Sequence, residues 1–195
     1  MNNKVTAIIL AAGQSQRMGQ PKMSLPWGKT TVLGKVIETL KAAGIQDLVV
    51  VTGGDREQVE AIAHGSAQVI FNAKYSNSEM LGSIQCGLNA IKPEAQAALI
   101  CLGDQPQVQA GSVQVILQEY ESTGVSLIVP SYQMKRGHPW LVARDLWNEI
   151  LEMRSPESPR EFLNRHAKEI KYINVDTPSI LADLDTPDDY LKSRP

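Results

Sequence analysis

Runs of apolar residues alternate along the chain with stretches whose apolar positions recur every three or four residues. The runs Val5–Leu10, Leu48–Val51 and Ala97–Leu102 are almost wholly apolar, which is typical of strands that are covered on both faces. Residues 32–42 carry apolar side chains at 32, 33, 36, 37 and 40, the spacing of one helical face. The pattern therefore predicts strands separated by helices.

The same alternation continues to about residue 130 and then loosens. Further strands are predicted at Gln68–Phe71, Val125–Pro130, Trp140–Ala143 and Ile170–Val175. Further helices are predicted at 56–63 behind an Asp55 N-cap, Leu81–Ile91, Val113–Tyr120, Asp145–Met153, Arg160–His166 and Pro187–Lys192. Repeated β-α-β units predict an α/β protein, a three-layer α/β/α domain with a mainly parallel, Rossmann-like sheet. We expect one domain over residues 1–195.

Length and charge narrow the class of protein. The chain has 195 residues and a formal net charge of −2, which argues against a nucleic-acid binder, since such proteins usually carry a basic face. The sequence has no apolar segment long enough to span a bilayer and no signal-peptide pattern at its N-terminus. Cys86 and Cys101 match no zinc spacing and are expected in the core. We therefore expect a cytoplasmic protein whose partners include neither nucleic acid nor membrane.

The glycine loop, residues 13–22, is the strongest functional signal in the chain. It follows the first predicted strand directly, and Gly13 and Gly19 lack the Cβ atoms that would keep phosphate oxygens away from backbone N–H groups. Arg17 offers a planar fork to such oxygens, and Lys22 adds a compact positive charge. The loop fits neither a Walker loop nor a dinucleotide fingerprint, because five residues separate its glycines. The alternative is a strand-to-helix turn whose glycines serve the turn alone.

A second signal is the turn Gly103-Asp104-Gln105-Pro106, which follows another predicted buried strand. Asp104 therefore belongs to the same sheet edge as the glycine loop. Triphosphates are handled with Mg²⁺, which usually takes one or two carboxylates together with phosphate oxygens. Asp104 is our first predicted metal ligand. The alternative is that it caps the next helix or stabilises the turn.

Two further segments carry candidate chemistry. In Asp183-Leu184-Asp185, residue alternation places both carboxylates on one side if the stretch is extended, although Asp185 or Thr186 could instead cap the last helix. In the Arg136 loop, residues 136–139, Gly137 gives backbone access, His138 can bind a ligand or titrate near neutral pH, and Pro139 stiffens the exit. A structural role for His138 stays open. His64 and His166 have no motif beside them and are expected on the surface.

These blocks, taken in order from residue 8 to residue 190, resemble the molybdopterin nucleotidyltransferases, and most closely their molybdenum cofactor cytidylyltransferase branch. The resemblance implies a nucleotidyltransferase fold and the use of Mg²⁺. It implies transfer of CMP from CTP to the terminal phosphate of molybdopterin, with release of pyrophosphate. The molybdenum cofactor is then the acceptor, and a molybdoenzyme that receives the product is a further partner.

The resemblance also implies roles for individual residues. Arg17, Lys22 and Asp104 are the implied catalytic residues, and Asp185, with Asp183 in reserve, is the second metal ligand. Arg136, Gly137, His138 and Pro139 are expected to bind the acceptor. The implied nucleotide-binding residues are Leu10, Ala11, Ala12, Gly13, Gly19, Lys22, Asn72, Gly82 and Ser83.

Some features leave the substrates open. Many relatives carry a Gly-Asp-x-Gly-Ala-Arg segment near residues 154–162, where this chain has only Arg160 as a counterpart. The preference for CTP rests on Ala12, where the guanylyl branch typically has glycine, so GTP is an alternative. A sugar 1-phosphate is an alternative acceptor, and a cofactor carrier or insertion protein is an alternative function. Retention of the cations and carboxylates argues against a purely non-catalytic carrier.

Overall fold

An eight-stranded mixed sheet forms the middle layer of the protein. The computed structural model describes residues 4–15, 17–76 and 80–195, so residues 1–3, Gln16 of the glycine loop and residues 77–79 lie outside it. The strands are β1 (Val5–Ala11), β2 (Pro26–Trp27), β3 (Thr30–Thr31), β4 (Leu48–Thr52), β5 (Gln68–Phe71), β6 (Ala97–Leu102), β7 (Leu127–Tyr132), β8 (Lys135–Arg136), β9 (Trp140–Ala143) and β10 (Lys171–Asn174). The sheet order is β10-β7-β9-β6-β1-β4-β5, with β8 paired to β7; β2 and β3 form a separate hairpin.

Helices cover both faces of the sheet. They are α1 (Val32–Ala42), α2 (Arg56–Ala63), α3 (Met80–Ala90), α4 (Ala110–Thr123), α5 (Trp147–Glu152), α6 (Pro159–Arg165) and α7 (Pro187–Ser193). Short 3-10 turns lie at Lys22–Ser24, Arg144–Leu146 and Pro178–Leu181. One apolar core packs α1, α2 and α4 on the sheet, and a second packs α3, α5 and α6 on the opposite face. The predicted three-layer α/β/α class is confirmed.

Most of the sheet is parallel, and two strands, β8 and β9, run antiparallel to their neighbours. β1 pairs in parallel with both β4 and β6, and β10 pairs in parallel with β7. β9 runs antiparallel between β6 and β7. It does so because the chain leaves β7 through the β8 hairpin, which reverses its direction. The alternation of predicted elements loosens after residue 130 for this reason.

Local capping explains where several helices begin. Thr31 accepts a hydrogen bond from the Gly34 amide at the start of α1, and Thr186 and Asp189 form a reciprocal capping box at the start of α7. These contacts satisfy amides that the first helical turn leaves unpaired. Within the described residues, no helix is both long and apolar enough to cross a membrane.

The central strands set the position of the two main sequence signals. β1 and β6 are neighbours in the sheet, with Leu10 opposite Leu102 in register. The amide of Gly103 donates to the carbonyl oxygen of Leu10 at 3.0 Å, which extends the pairing by one residue. The glycine loop and Asp104 therefore leave adjacent strands at the same carboxyl edge, where ligands of such sheets bind.

Candidate functional site

The glycine loop turns back on itself directly after β1. Ser15 and Gly19 adopt left-handed backbone conformations with φ of +49° and +70°, and the Gly19 amide donates to the Ser15 carbonyl oxygen at 3.1 Å. The Lys22 amide donates to Ser15 Oγ at 3.2 Å. A Cβ built on Gly13 would meet no heavy atom of the described chain within 4 Å. The space beside this part of the backbone is therefore open.

Two cations of the loop meet two carboxylates from distant parts of the chain. Lys22 Nζ lies 2.6 Å from Asp104 Oδ2 and 3.4 Å from Asp185 Oδ1, and Arg17 Nη2 lies 3.0 Å from Asp185 Oδ2. The Lys22 side chain is only 11% exposed, whereas that of Arg17 is 72% exposed. The structure thus brings together four residues that the sequence analysis singled out separately.

The C-terminal segment, residues 180–185, supplies the carboxylates from across the site. The amide of Leu184 donates to the carbonyl oxygen of Asp104 at 3.2 Å, and the Leu184 side chain is fully buried. This anchor leaves Asp183 and Asp185, on either side of Leu184, at the lining of one cleft. Residue alternation therefore places both carboxylates there, as predicted for an extended stretch.

Asp183 is held differently from Asp185. Its Oδ1 accepts a hydrogen bond of 2.6 Å from Nε2 of Gln105. Burial raises the pKa of Asp183, and the negative charges of Asp104 and Asp185 raise it further, while the hydrogen bond from Gln105 opposes them. The two C-terminal carboxylates consequently have different partners: an amide for Asp183 and two cations for Asp185.

The donor chemistry fits a hard divalent cation. Asp104 and Asp185 each place a carboxylate oxygen within 3.4 Å of one point, the Lys22 Nζ. Mg²⁺ and Mn²⁺ favour oxygen ligands of this kind, usually with phosphate oxygens completing the coordination. In the part of the chain that the structure describes, no group of three or more His, Cys, Asp or Glu side chains is arranged to hold a metal alone. The two carboxylates could hold such an ion together with a phosphorylated ligand.

A cleft of about 650 Å³ opens beside this network. Its volume is that of a pocket for a ligand of a few hundred daltons. The predicted site residues that line it are Leu10, Ala12, Gly13, Arg17, Lys22, Ser83, Asp104, Asp183 and Asp185. The predicted site residues outside that lining are Ala11, Gly19, Asn72, Gly82 and the four residues of the Arg136 loop.

The far side of the cleft is formed by residues of α3 and by Tyr75 and Ser76. Asn72 is buried and donates from Nδ2 to Ser83 Oγ at 3.2 Å, while its Oδ1 accepts from the Lys74 amide. Asn72 therefore holds Ser83 at the cleft and does not line it.

Tyr75 also lines this side of the cleft, and sequence reasoning missed it. A Cβ on Gly53 would lie 2.8 Å from the Tyr75 side chain, and one on Gly54 would lie 3.3 Å from its ring. Tyr75 thus packs across a glycine pair at the end of β4. The adjacent glycines Gly53 and Gly54 were the sequence signal that could have indicated this contact, because glycine is favoured where another part of the chain approaches the backbone closely.

The Arg136 loop is anchored in the fold and not in the cleft. Arg136 donates from Nε to the Tyr172 hydroxyl and from Nη1 to Asn164 Oδ1, both at 2.8 Å. A Cβ on Gly137 would lie 2.5 Å from the carbonyl oxygen of Ile180, so glycine is required there by a close approach. These contacts tie the loop to β10, α6 and the C-terminal segment.

His138 contacts the same segment through its backbone. Its amide donates to the carbonyl oxygen of Ile180 at 3.0 Å. Burial lowers the pKa of the His138 imidazole to about 4, because burial disfavours the charged form. The ring is therefore neutral at neutral pH. Pro139 lines a small apolar cavity together with Gln105.

His166, which was expected on the surface, is partly buried. Its ring nitrogens lie 2.7 Å from Glu149 Oε2 and 2.9 Å from Glu169 Oε2, and its side chain is only 14% exposed. The two hydrogen bonds and the two negative charges raise the pKa of His166 against the opposing effect of burial. The contact with Glu149 joins α6 to α5 and could not be inferred from residues that lie 17 positions apart.

Comparisons with known proteins agree with this geometry. The chain is 25% identical over 194 residues to the molybdenum cofactor cytidylyltransferase of Escherichia coli K12, covering 97% of this chain and 95% of that protein. It is 26% identical over 190 residues to nicotine blue oxidoreductase of Paenarthrobacter nicotinovorans, covering 93% and 92%.

The fold also resembles that of solved structures. Rv0371c of Mycobacterium tuberculosis H37Rv superposes with a TM-score of 0.85 at 28% identity, over 97% of this chain and 96% of that one. The same mycobacterial protein has been solved in complex with manganese, and that structure matches with a TM-score of 0.81 at 26% identity, over 97% and 96% of the two chains. Residues 7–170 match the family described as the MobA-like NTP transferase domain. The chain belongs to this family and is an NTP transferase.

Proposed function

We propose that this protein transfers CMP from CTP to the terminal phosphate of molybdopterin and releases pyrophosphate. The observation that carries the proposal is the meeting of Lys22 with Asp104 and Asp185 at the mouth of the glycine loop. A largely buried ammonium beside two carboxylates fits a site that must neutralise a triphosphate and hold its cation. The full-length likeness to the molybdenum cofactor cytidylyltransferase of E. coli supports the choice of substrates.

The triphosphate would lie along the glycine loop. The open backbone at Gly13 lets phosphate oxygens approach N–H groups. Arg17, which is largely exposed, can turn from Asp185 to the β- and γ-phosphates, and Lys22 can neutralise the charge that develops as pyrophosphate leaves. The loop residues thus stabilise the leaving group and need no proton transfer to do so.

Asp104 and Asp185 would hold a divalent cation, Mg²⁺ in our proposal. When bound, the cation neutralises phosphate charge and aligns the reacting groups. The Lys22 ammonium lies within 3.4 Å of both carboxylates. Lys22 contacts both carboxylates and also lines the cleft. Its ammonium group could therefore move from the carboxylates to the phosphates of the bound substrate.

The acceptor supplies the nucleophile. An oxygen of its terminal phosphate forms a bond to the α-phosphorus of CTP, and the bond from that phosphorus to the bridging oxygen of the β-phosphate breaks. The phosphate oxygen is already ionised, so the reaction needs no general base. A neutral, largely buried His138 is consistent with this requirement, because its pKa of about 4 leaves it a weak base.

The base of the nucleotide would lie at the opposite end of the cleft, between Ala12 on one side and Tyr75 and Ser83 on the other. Ala12 lines the cleft, and we propose that its methyl group leaves less room for guanine than for the smaller cytosine. Discrimination by shape alone reaches roughly 10- to 200-fold. We therefore propose CTP as the preferred substrate.

The test is pyrophosphate release from each of the four ribonucleoside triphosphates, with Mg²⁺, in the presence and absence of molybdopterin. We expect release that requires both CTP and molybdopterin. Asp104→Asn keeps the shape of the turn and removes the charge, so it should lower the rate by about 100-fold or more with little change in Tm. Full activity of Asp104→Asn would show that Asp104 is only a turn residue, because Asn serves turns equally well.

The same assay separates the other candidates. Release with GTP alone would move the protein to guanylyl transfer, and release with a sugar 1-phosphate would change the acceptor. The likeness to nicotine blue oxidoreductase over 93% of the chain favours a second candidate, a redox enzyme built on the same fold. Failure of all four triphosphates to release pyrophosphate would favour that candidate, because a redox reaction need not cleave a triphosphate.

A further inference from the structure

The side chain of Gln105 links three parts of the site. It is buried, with 3% of its surface exposed. Its Nε2 donates to Asp183 Oδ1 at 2.6 Å and to the carbonyl oxygen of Ile180 at 3.4 Å. Ile180 in turn accepts the amide hydrogen of His138 at 3.0 Å. The Gln105 amide group therefore donates to two residues of the C-terminal segment. One of them, Ile180, also accepts the hydrogen bond from His138 of the Arg136 loop through the same carbonyl oxygen.

The backbone next to Gln105 makes a third connection. The carbonyl oxygen of Asp104 accepts the amide hydrogen of Leu184 at 3.2 Å. The turn after β6 and the C-terminal segment are thus joined by one backbone hydrogen bond and by the Gln105 side chain. Residues separated by 78 positions are held together at the edge of the cleft.

A packing role alone does not explain a glutamine at this position. Its Oε1 is buried and has no hydrogen-bond partner among the described residues. An unpaired buried carbonyl is unfavourable, and a methionine or leucine would fill the space without it. Reversing the amide would put Oε1 against the Asp183 carboxylate, which also accepts hydrogen bonds. The property that distinguishes glutamine from methionine or leucine here is therefore the N–H donor that faces Asp183.

Asp183 has no other strong anchor. In the ranges 4–15, 17–76 and 80–195, no Lys or Arg nitrogen lies within 4.0 Å of its carboxylate, whereas Asp185 is held by Arg17 and Lys22. The orientation of Asp183 in the cleft therefore depends on Gln105. The same hydrogen-bond donor also fixes the Ile180 carbonyl against which Gly137 is packed.

We propose that Gln105 is a positioning residue that orients Asp183 towards the acceptor in the cleft. Through the Ile180 carbonyl oxygen it also holds the C-terminal segment against the Arg136 loop, which lies outside the cleft lining. The part of this inference that concerns the acceptor rests on the proposed function. CTP binding depends on the glycine loop and is expected to be independent of Gln105. Loss of the Gln105 donor should therefore affect the acceptor and leave CTP affinity unchanged.

The primary variant is Gln105→Met, which keeps the length of the side chain and removes the donor. Hydrogen bonds to charged groups have effects that correspond to about 10- to 100-fold in a rate or binding constant. We expect the KM for molybdopterin to rise by this factor, while the Kd for CTP stays within about twofold of the wild type. Gln107→Met is the matched control, since Gln107 lies in the same turn and its Oε1 is likewise unpaired within the described chain. It should behave as the wild type.

Amide hydrogen exchange measured by NMR gives a readout that does not depend on activity. In Gln105→Met the amides of His138 and Leu184 should exchange about tenfold faster or more, because both belong to the contact that the side chain holds in place. Asp183→Ala should accelerate the same amides. In the double variant these amides should exchange no faster than in Gln105→Met alone, since both substitutions remove the same hydrogen bond.

Each outcome decides the inference. Unchanged exchange in Gln105→Met, or additive effects in the double variant, would overturn it, and so would an unchanged KM for molybdopterin in an active protein. If Gln105→Met fails to fold, wild-type exchange in Asp183→Ala would be sufficient to reject it. A wild-type protein that releases no pyrophosphate would reject the proposed function, while the exchange data would still decide whether Gln105 positions Asp183.

Discussion

The glycine loop and the Arg136 loop contain the same kinds of residue and use them in opposite ways. Each combines an arginine, a glycine and a proline within a few positions. Arg17 is 72% exposed and contacts a carboxylate that lines the cleft. Arg136 instead donates to Tyr172 and Asn164. Similar composition therefore gives a cleft-facing loop in one place and a structural tie in the other.

The two glycines show the difference most clearly. Gly13 has open space where a side chain would be, while Gly137 is pressed against the Ile180 carbonyl oxygen. In the first case the absence of a Cβ leaves room for a ligand, and in the second it leaves room for the protein itself. A glycine beside a cation is thus not sufficient to identify a ligand loop.

The largest expected effect comes from Lys22→Ala. Among the described residues, Lys22 is the only Lys or Arg whose nitrogen lies within 4.0 Å of the Asp104 carboxylate. Its loss would remove the charge that is proposed to face the triphosphate. We expect kcat/KM for CTP to fall by about 100- to 1,000-fold, with the far-UV circular dichroism spectrum unchanged. Wild-type turnover from a well-folded Lys22→Ala protein would remove the glycine loop from the mechanism.

The second prediction concerns the protonation of His138. Its pKa in the folded protein is about 4, against 6.5 for an ordinary histidine. As the pH falls, His138 is therefore protonated in the unfolded chain before it is protonated in the folded protein. The free energy of unfolding is at its full value above pH 6.5 and decreases as the pH falls towards 4. We expect a loss of about 2 kcal/mol between pH 7 and pH 5 that is absent in His138→Gln.

His166 provides an internal reference in the same titration. Its pKa is raised beside Glu149 and Glu169, so its contribution is present below pH 6.5 and is lost as the pH rises through the raised value. It should be worth less than about 1 kcal/mol, because Glu169 is largely exposed and Glu149 is partly exposed. NMR titration of the two imidazoles would contradict the comparison if His138 titrated near 6.5.

The third prediction concerns the base of the nucleotide. Ala12→Gly removes a methyl group from a residue that lines the cleft beside the loop. The ratio of kcat/KM for CTP to that for GTP should fall by about tenfold, the effect expected for one methyl group in a shaped pocket. A double change that also alters the region near Asn72 should shift it further. A wild-type enzyme that prefers GTP would overturn the choice of base.

The smallest effects come from the matched pair Arg17→Ala and Arg136→Ala. Arg17→Ala should weaken CTP binding by about fivefold and leave stability unchanged, because its ion pair is largely solvent-exposed. Arg136→Ala should lower the free energy of unfolding by about 1 kcal/mol, through the loss of two side-chain hydrogen bonds. Its CTP affinity should stay at the wild-type level. If Arg17→Ala lowered stability and Arg136→Ala weakened CTP binding, the roles assigned to the two loops would be reversed.

Local patterns were sufficient to predict most of the fold. The helix predicted at 32–42 and the strands predicted at Gln68–Phe71, Ala97–Leu102 and Trp140–Ala143 match the observed bounds, because periodicity or a continuous apolar run marks each of them. The β2–β3 and β7–β8 hairpins were missed, since two-residue strands are too short to show a period. The antiparallel direction of β9 is set by its neighbours β6 and β7 and leaves no mark in its own sequence.

The candidate site was predictable only in part for a similar reason. The carboxyl edge of a parallel sheet explains why Lys22 and Asp104 should approach one another. The contact of Gln105 with Asp183 depends on how the C-terminal segment docks, and the contact of Arg136 with Tyr172 depends on the pairing of β10 with β7. Both are long-range contacts between residues that carry no shared local pattern.

The most direct test of the proposed transfer follows the phosphorus atoms of CTP. Two parallel reactions contain the protein, Mg²⁺ and molybdopterin, one with CTP labelled at the α-phosphate and one with CTP labelled at the γ-phosphate. The account predicts that the α-label appears in the molybdopterin product and the γ-label in pyrophosphate, in equal amounts. Transfer of the γ-label to molybdopterin, or no transfer of the α-label, would contradict it.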